Sequence, residues 1–129
     1  MKPVYQDPDE PECGAACIAM LARVTIDEAR CAVYGDKPPK RLGRKKVLGV
    51  LADHFDVNPQ TKDCVRLSSK FSLAKLRGDA LLQGSVLFKD GKSWKKSLHW
   101  LVWDHRCQCV RDPLGFSDAI QITSATEVA

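Results

Sequence analysis

Four residues of types that do chemistry together stand far apart in this chain: Gln6, Cys13, His99 and Asp112. Cys13 sits where the sequence changes character. Before it come Asp7, Pro8, Asp9, Glu10, Pro11 and Glu12; after it, Gly14 to Ala22 is small and apolar throughout. That break predicts an extended entry and then a helix opening at or just after Cys13, with Ile18, Leu21 and Ala22 on one side. The unpaired N–H groups and the dipole of a first helical turn favour an anion, so a thiol placed there ionises more easily. A thiolate nucleophile needs a base, and the base needs a group that holds its tautomer.

Three histidines can be that base: His54, His99 and His105. His99 opens an apolar run, 98–104, that reads as a strand, which puts its side chain at a strand edge. Asp112 closes the next expected strand, 107–111. In an antiparallel pair turning near Asp104-His105-Arg106, the start of one strand lies beside the end of the other, so Asp112 falls roughly alongside His99. An oxyanion formed on attack needs donors; the Cys13 backbone N–H is one and the Gln6 side-chain amide is the candidate for the other. His105 is the second choice of base and is expected at the surface. Asp104 is the second choice of carboxylate, without the Pro-Leu-Gly that follows Asp112. Cys17, one turn beyond Cys13, reads as a core residue.

Other constellations are weaker. Cys107 and Cys109, alternating on one strand face with His105 nearby, invite a metal, but zinc sites need four ligands at wider spacings. No metal and no cofactor is assigned. Trp94, Trp100 and Trp103 with Lys92, Lys95 and Lys96 could stack on bases and meet phosphate. The chain carries no recognisable nucleic-acid motif, so nucleic acid is not expected.

The elements that must position these residues follow from the remaining pattern. Thr25-Ile26-Asp27-Glu28 fits a capping box and predicts a second helix ending near Tyr34-Gly35. Two prolines make 36–39 a loop. Residues 40–55 form the clearest amphipathic helix, with Val47, Leu48, Leu51, Ala52 and Phe55 on its apolar face. Arg41, Arg44, Lys45 and Lys46 crowd its start, where cations oppose the dipole; they either face something acidic or lie on a solvated surface. Residues 64–67 read as a short strand, 72–82 as a helix, and 85–89, 98–104, 107–111 and 120–122 as strands, with a turn at Asp90-Gly91. Helices first and strands second indicate an α+β fold, the leading helix packed on an antiparallel sheet.

At 129 residues the whole chain, 1–129, is expected to be a single domain. Its net charge of +4 comes from cations mixed with acids, which permits an acidic partner without demanding nucleic acid. Met1-Lys2-Pro3-Val4-Tyr5 does not begin a signal peptide, and no apolar run reaches membrane-spanning length. A cytoplasmic location is therefore expected, with delivery elsewhere still open. The six cysteines, at 13, 17, 31, 64, 107 and 109, are expected as reduced thiols.

Gln6, Glu12-Cys13-Gly14-Ala15-Ala16-Cys17-Ile18-Ala19-Met20, His99-Trp100-Leu101-Val102 and Asp112-Pro113-Leu114-Gly115, in that order, resemble a papain-like cysteine peptidase. More closely, the chain resembles the bacteriocin-processing peptidase domains of peptidase-containing ABC exporters, with motifs spread over nearly its whole length. The resemblance implies a papain-like fold and peptide hydrolysis through an acyl-enzyme. Cys13 would be the nucleophile, His99 the base, Asp112 the orienting carboxylate and Gln6 the oxyanion donor. It also implies a peptide or protein substrate, with cleavage of leader peptides after a double glycine as the family habit. Related folds deamidate glutamine side chains with the same residues, so a deamidase or amidase effector or toxin is the first alternative. A peptide-binding module without turnover is the second. An inhibitor, immunity or transporter partner is left open.

Overall fold

The computed structural model describes residues 1–67, 72–115 and 120–129, with the backbone path alone for 86–90. Three helices come first: α1 (Cys13–Ala22), α2 (Ile26–Tyr34) and α3 (Arg44–Phe55). Five strands follow: β1 (Val65–Arg66), β2 (Ala80–Asp90), β3 (Ser93–Asp104), β4 (Cys109–Arg111) and β5 (Ile120–Glu127). They form an antiparallel sheet in the order β1-β5-β2-β3-β4. The fold is α+β, as the order of sequence patterns predicts.

α1 begins at Cys13, the point where the small apolar run starts. It is buried from Gly14 to Leu21, on all sides rather than along the single stripe of Ile18, Leu21 and Ala22 that the spacing predicts. The reason is its place at the centre, with α2 and α3 against it and the sheet beneath. Ile18, Met20, Val47, Leu51, Leu81, Trp100 and Val102 share one apolar cluster. Leu82, Leu101, Trp103, Ile120 and Ala125 form a second. Neighbours in β2 and β3 alternate between the two clusters, so the sheet is buried on both faces.

α2 starts as expected: the Thr25 hydroxyl accepts a hydrogen bond from the Glu28 amide at 3.1 Å. It ends at Gly35, where φ is +63°. α3 is shorter than the expected 40–55. Gly43 is its cap, and Lys40 to Leu42 run in irregular conformation into it. The Leu42 carbonyl is taken by the Trp100 indole N–H at 2.8 Å, so this approach segment is pinned to β3 instead of continuing the helix.

The helix expected over 72–82 is not formed. Leu73–Lys75 make one 3-10 turn, and the chain is already in β2 at Ala80. Ala80 and Leu82 enter one cluster and Leu81 the other, so all three are buried. An apolar run buried on both sides has no period with which to tell strand from helix. Other boundaries shift by a few residues. β2 and β3 run longer than 85–89 and 98–104 and meet as a hairpin across Asp90-Gly91, registered from Ala80 opposite Trp103 to Asp90 opposite Ser93. β5 extends well past 120–122. The strand expected over 107–111 begins only at Cys109, because His105 to Gln108 are used by the turn, with Gln108 at φ +53°. Cys107 and Cys109 therefore do not share one strand.

Among the described residues, no helix is long and apolar enough to cross a membrane. No group of three histidines, cysteines or acids is arranged to hold a metal ion among them.

Candidate active site

Cys13 is the first residue of α1, so its backbone N–H has no intrahelical partner. Gly14 behind it makes that position possible. A Cβ there would meet Leu42 Cδ1 at 2.9 Å and Leu42 Cβ and Val47 Cγ2 at 3.3 Å, so glycine lets the first turn lie against the segment leading into α3 without moving those side chains. Ahead of it, the Glu12 side chain is buried and accepts two hydrogen bonds from Arg30 of α2, at 2.9 and 2.8 Å. This ties the helix start to α2 and neutralises a carboxylate one residue from the thiol.

His99 comes from the middle of β3, not from the opening of a strand. Opposite it in β2 is Gly84, next to a shift in the β2–β5 register. A Cβ on Gly84 would stand 2.6 Å from Ile120 Cγ2 and 3.2 Å from Leu101 Cδ1, so the glycine lets these strands close up beside the imidazole. β4 pairs with β3 from Asp104↔Cys109 to Val102↔Arg111. Extended one step, that register sets Asp112 across from Leu101, two residues from His99. The side chain spans the remainder: Asp112 Oδ1 lies 2.6 Å from His99 Nε2. The same oxygen accepts the Leu114 amide at 2.9 Å, and the Gly115 amide bonds the Asp112 carbonyl at 3.0 Å in a tight turn with Gly115 at φ +76°. Both members of the pair are buried.

With Nε2 held by Asp112, the other ring nitrogen of His99 is left for the thiol, and each of the two groups shifts the ionisation of the other. Burial works against ionisation of Cys13. Hydrogen bonds from His99 and from the Trp100 and Gly14 amides, with the His99 charge, outweigh it and hold the thiol below its ordinary range. Burial likewise opposes charge on His99, yet Asp112 and Cys13 together push its pKa up to about 9. Cys17, fully buried below, goes the other way: burial pushes its thiol well up, so it has core character.

Gln6 is buried and lines the same cleft as Cys13 and His99, a space of about 660 Å³. Its backbone N–H donates to the Pro113 carbonyl at 3.0 Å, fastening it to the turn that carries Asp112. Its side-chain Nε2 donates to the Glu10 carbonyl at 2.8 Å. A carbonyl can only accept, so this bond fixes which end of the amide is nitrogen, and the second Nε2 hydrogen remains. The Gln6 Oε1 is buried without a hydrogen-bond partner among the described residues.

The structure thus brings Gln6, Cys13, His99 and Asp112 to one cleft. It does not bring His54 or His105 there. His54 is exposed on α3, and His105 is half-buried in the β3–β4 turn, its ring nitrogen 3.3 Å from Gln108 Nε2. Asp104 is likewise elsewhere, its carboxylate taken by Arg111 at 3.1 Å. Trp94 is exposed on the β2–β3 hairpin, whereas Trp100 and Trp103 are buried. Sequence reasoning missed the supports of the site: the Glu12–Arg30 pair, the Gln6–Pro113 tie and the approach segment at Leu42. An acid directly before Cys13 is a signal for the first; the other two are long-range backbone contacts with no residue-type signature.

Comparison with protein-family models, with curated proteins and with solved structures finds no match to this chain.

Proposed function

We propose that this chain is a cysteine peptidase with a papain-like fold. The observation that supports it most is the buried Asp112–His99 bond in the same cleft as the Cys13 thiol, which stands at a helix start and whose ionisation His99 favours. In this reading the resting site holds a thiolate and an imidazolium. The Cys13 sulfur attacks the substrate carbonyl carbon, and the developing oxyanion is met by the Cys13 N–H and the second Gln6 Nε2 hydrogen. His99 gives its proton to the leaving amine as the C–N bond breaks, leaving a thioester. Neutral His99 then takes a proton from water, whose oxygen attacks the thioester carbonyl. The acid product leaves and the Cys13 thiolate with its imidazolium is restored. Asp112 keeps the ring in the tautomer and orientation both steps need.

Processing of leader peptides is the finer form of this proposal, and it rests on the motif resemblance. The same steps on a glutamine side chain would release ammonia instead of cutting the chain. Incubation with a peptide library generated from a digested proteome tests the reading: new peptide termini with wild type and none with Cys13→Ala are expected. Ammonia release from glutamine-containing peptides without new termini would replace the peptidase by a deamidase. Neither product, together with retention of peptides by the immobilised protein, would leave a binding module.

A further inference from the structure

The cleft beside Cys13 is lined by two arginines that have no ion pair among the described residues. Arg41 and Arg44 both line it, from the segment that leads into and opens α3. Arg41 Nη2 donates to the Ser97 hydroxyl on β3 at 3.1 Å. Arg44 Nε donates to the Thr126 hydroxyl at 3.1 Å, and its Nη2 to the Lys62 carbonyl at 3.3 Å. Every one of these acceptors is neutral. Among the described residues the ion pairs go to other cations: Arg23, Arg30 and Arg111 each have a carboxylate, and Arg41 and Arg44 have none. Neither arginine serves α3 electrostatically, because cations at a helix start oppose its dipole. Neutral hydrogen bonds fix where the guanidiniums lie while leaving their charge uncompensated. That is a prepared position for a planar anion, which a guanidinium meets through paired N–H donors.

Asp9 and Glu10 also line the cleft, from the loop that carries Gln6. No ion pair joins either of them to Arg41 or Arg44 among the described residues, so the two arginines remain available to an incoming carboxylate.

We propose that Arg41 and Arg44 form a carboxylate subsite, so that the chain acts on peptides presenting either an Asp or Glu side chain or a free C-terminal carboxylate near the scissile bond. The proposal rests on the reading of this cleft as the peptide-binding site of Cys13, and its test separates the two.

The test compares iodoacetate, an anion, with iodoacetamide, its neutral counterpart, as alkylating agents of Cys13, located by peptide mapping. The ratio of the two rates is taken at Cys13 and at Cys31, an exposed thiol, in wild type and in the double variant R41Q/R44Q. Any general change in thiol reactivity cancels in the ratio. The expected result is a fall of about tenfold in the Cys13 ratio in the double variant, with the Cys31 ratio unmoved. An unchanged Cys13 ratio overturns the subsite even if Cys13 reacts fast. Slow iodoacetamide labelling of Cys13, with ordinary thiol pH dependence, overturns the catalytic reading instead, while the ratio still reports on the arginines. The source of the carboxylate follows from the cuts each protein makes in the proteome-derived library. Loss of an Asp or Glu preference at a fixed distance from the cut, in R41Q/R44Q, assigns the side chain. Loss of cuts at a fixed distance from peptide C-termini assigns the terminal group. Identical preferences in the two proteins would overturn the substrate assignment.

Discussion

Two clusters of the same residue types hang from the β3–β4 hairpin. One joins Cys13, His99 and Asp112; the other gathers Asp104, His105, Cys107, Cys109 and Arg111 around the turn. Each has a thiol, an imidazole and a buried carboxylate, and the carboxylate's partner differs. At the turn, burial of Asp104 opposes its charge, but Arg111 and Cys107 outweigh this and hold the carboxyl below its ordinary range. With Arg111 at 3.1 and 3.3 Å and the Cys107 amide at 3.4 Å, its negative charge is spent on a permanent cation. His105 is left with a glutamine, and burial pushes the Cys109 thiol up. At the other end Asp112 bonds His99, so its charge raises an imidazole, and the imidazole lowers a thiol. Residue type alone therefore does not lower a thiol here; the destination of one carboxylate contributes to it.

Substitutions can break that contrast, beginning with the largest. Cys13→Ala and His99→Ala should each lower kcat by about a millionfold on any cleaved peptide. Both should stay folded by circular dichroism, while Cys107→Ala/Cys109→Ala should keep wild-type turnover. A comparable loss in that double variant would move the nucleophile to the turn. Asp112→Asn should cost less, about a thousandfold, because orientation and imidazolium stabilisation are lost but the pair survives. It also carries a pH signature. Wild-type activity should rise as Cys13 ionises, below the usual thiol range, and fall as His99 loses its proton at about 9. Removing the Asp112 charge lowers the His99 value, so the alkaline limb of kcat/KM should move to lower pH. An unmoved limb would exclude Asp112 as the group that raises His99.

Gln6→Ala should reduce kcat about a hundredfold with little change in KM, the mark of a donor used in the transition state. A change confined to KM would make Gln6 a wall of the cleft. The smallest catalytic effect belongs to Asp104→Asn, which should leave kcat within about twofold and act on stability, by about 2 kcal/mol for hydrogen bonds to a charged partner. The readout is a lower urea midpoint at constant slope. A larger loss of activity at Asp104 than at Asp112 would reverse the comparison.

How far these clusters can be read in the sequence depends on the range of the forces that build them. The opening of α1 at Cys13, the Thr25 cap and the Asp90-Gly91 turn are set by neighbouring residues, and composition shows them directly. The approach of Asp112 to His99 is legible because a short antiparallel connection fixes it, although the true register needs the carboxylate to reach two residues along β3. The segment 72–82 is misread as a helix because Ala80, Leu81 and Leu82 are all buried, which erases the period of the strand. The start of α3 is misplaced because Trp100 claims the Leu42 carbonyl from 58 residues away. Nothing near Arg41 or Arg44 reveals that their acceptors are neutral, since Ser97 and Thr126 lie on distant strands.

The bond from the Gln6 amide to the Pro113 carbonyl joins the two ends of the sequence at the cleft. Chains leave the ribosome N-terminus first. Cys13 is thus made well before the turn holding Asp112. Until then the thiol lacks its oriented base, and the strap bearing Gln6 lacks its anchor. A nascent chain, or one cut short before Asp112, carries the cysteine in an unactivated form. Order of synthesis thereby delays the bond between Asp112 and His99 until the strands that carry them have been made.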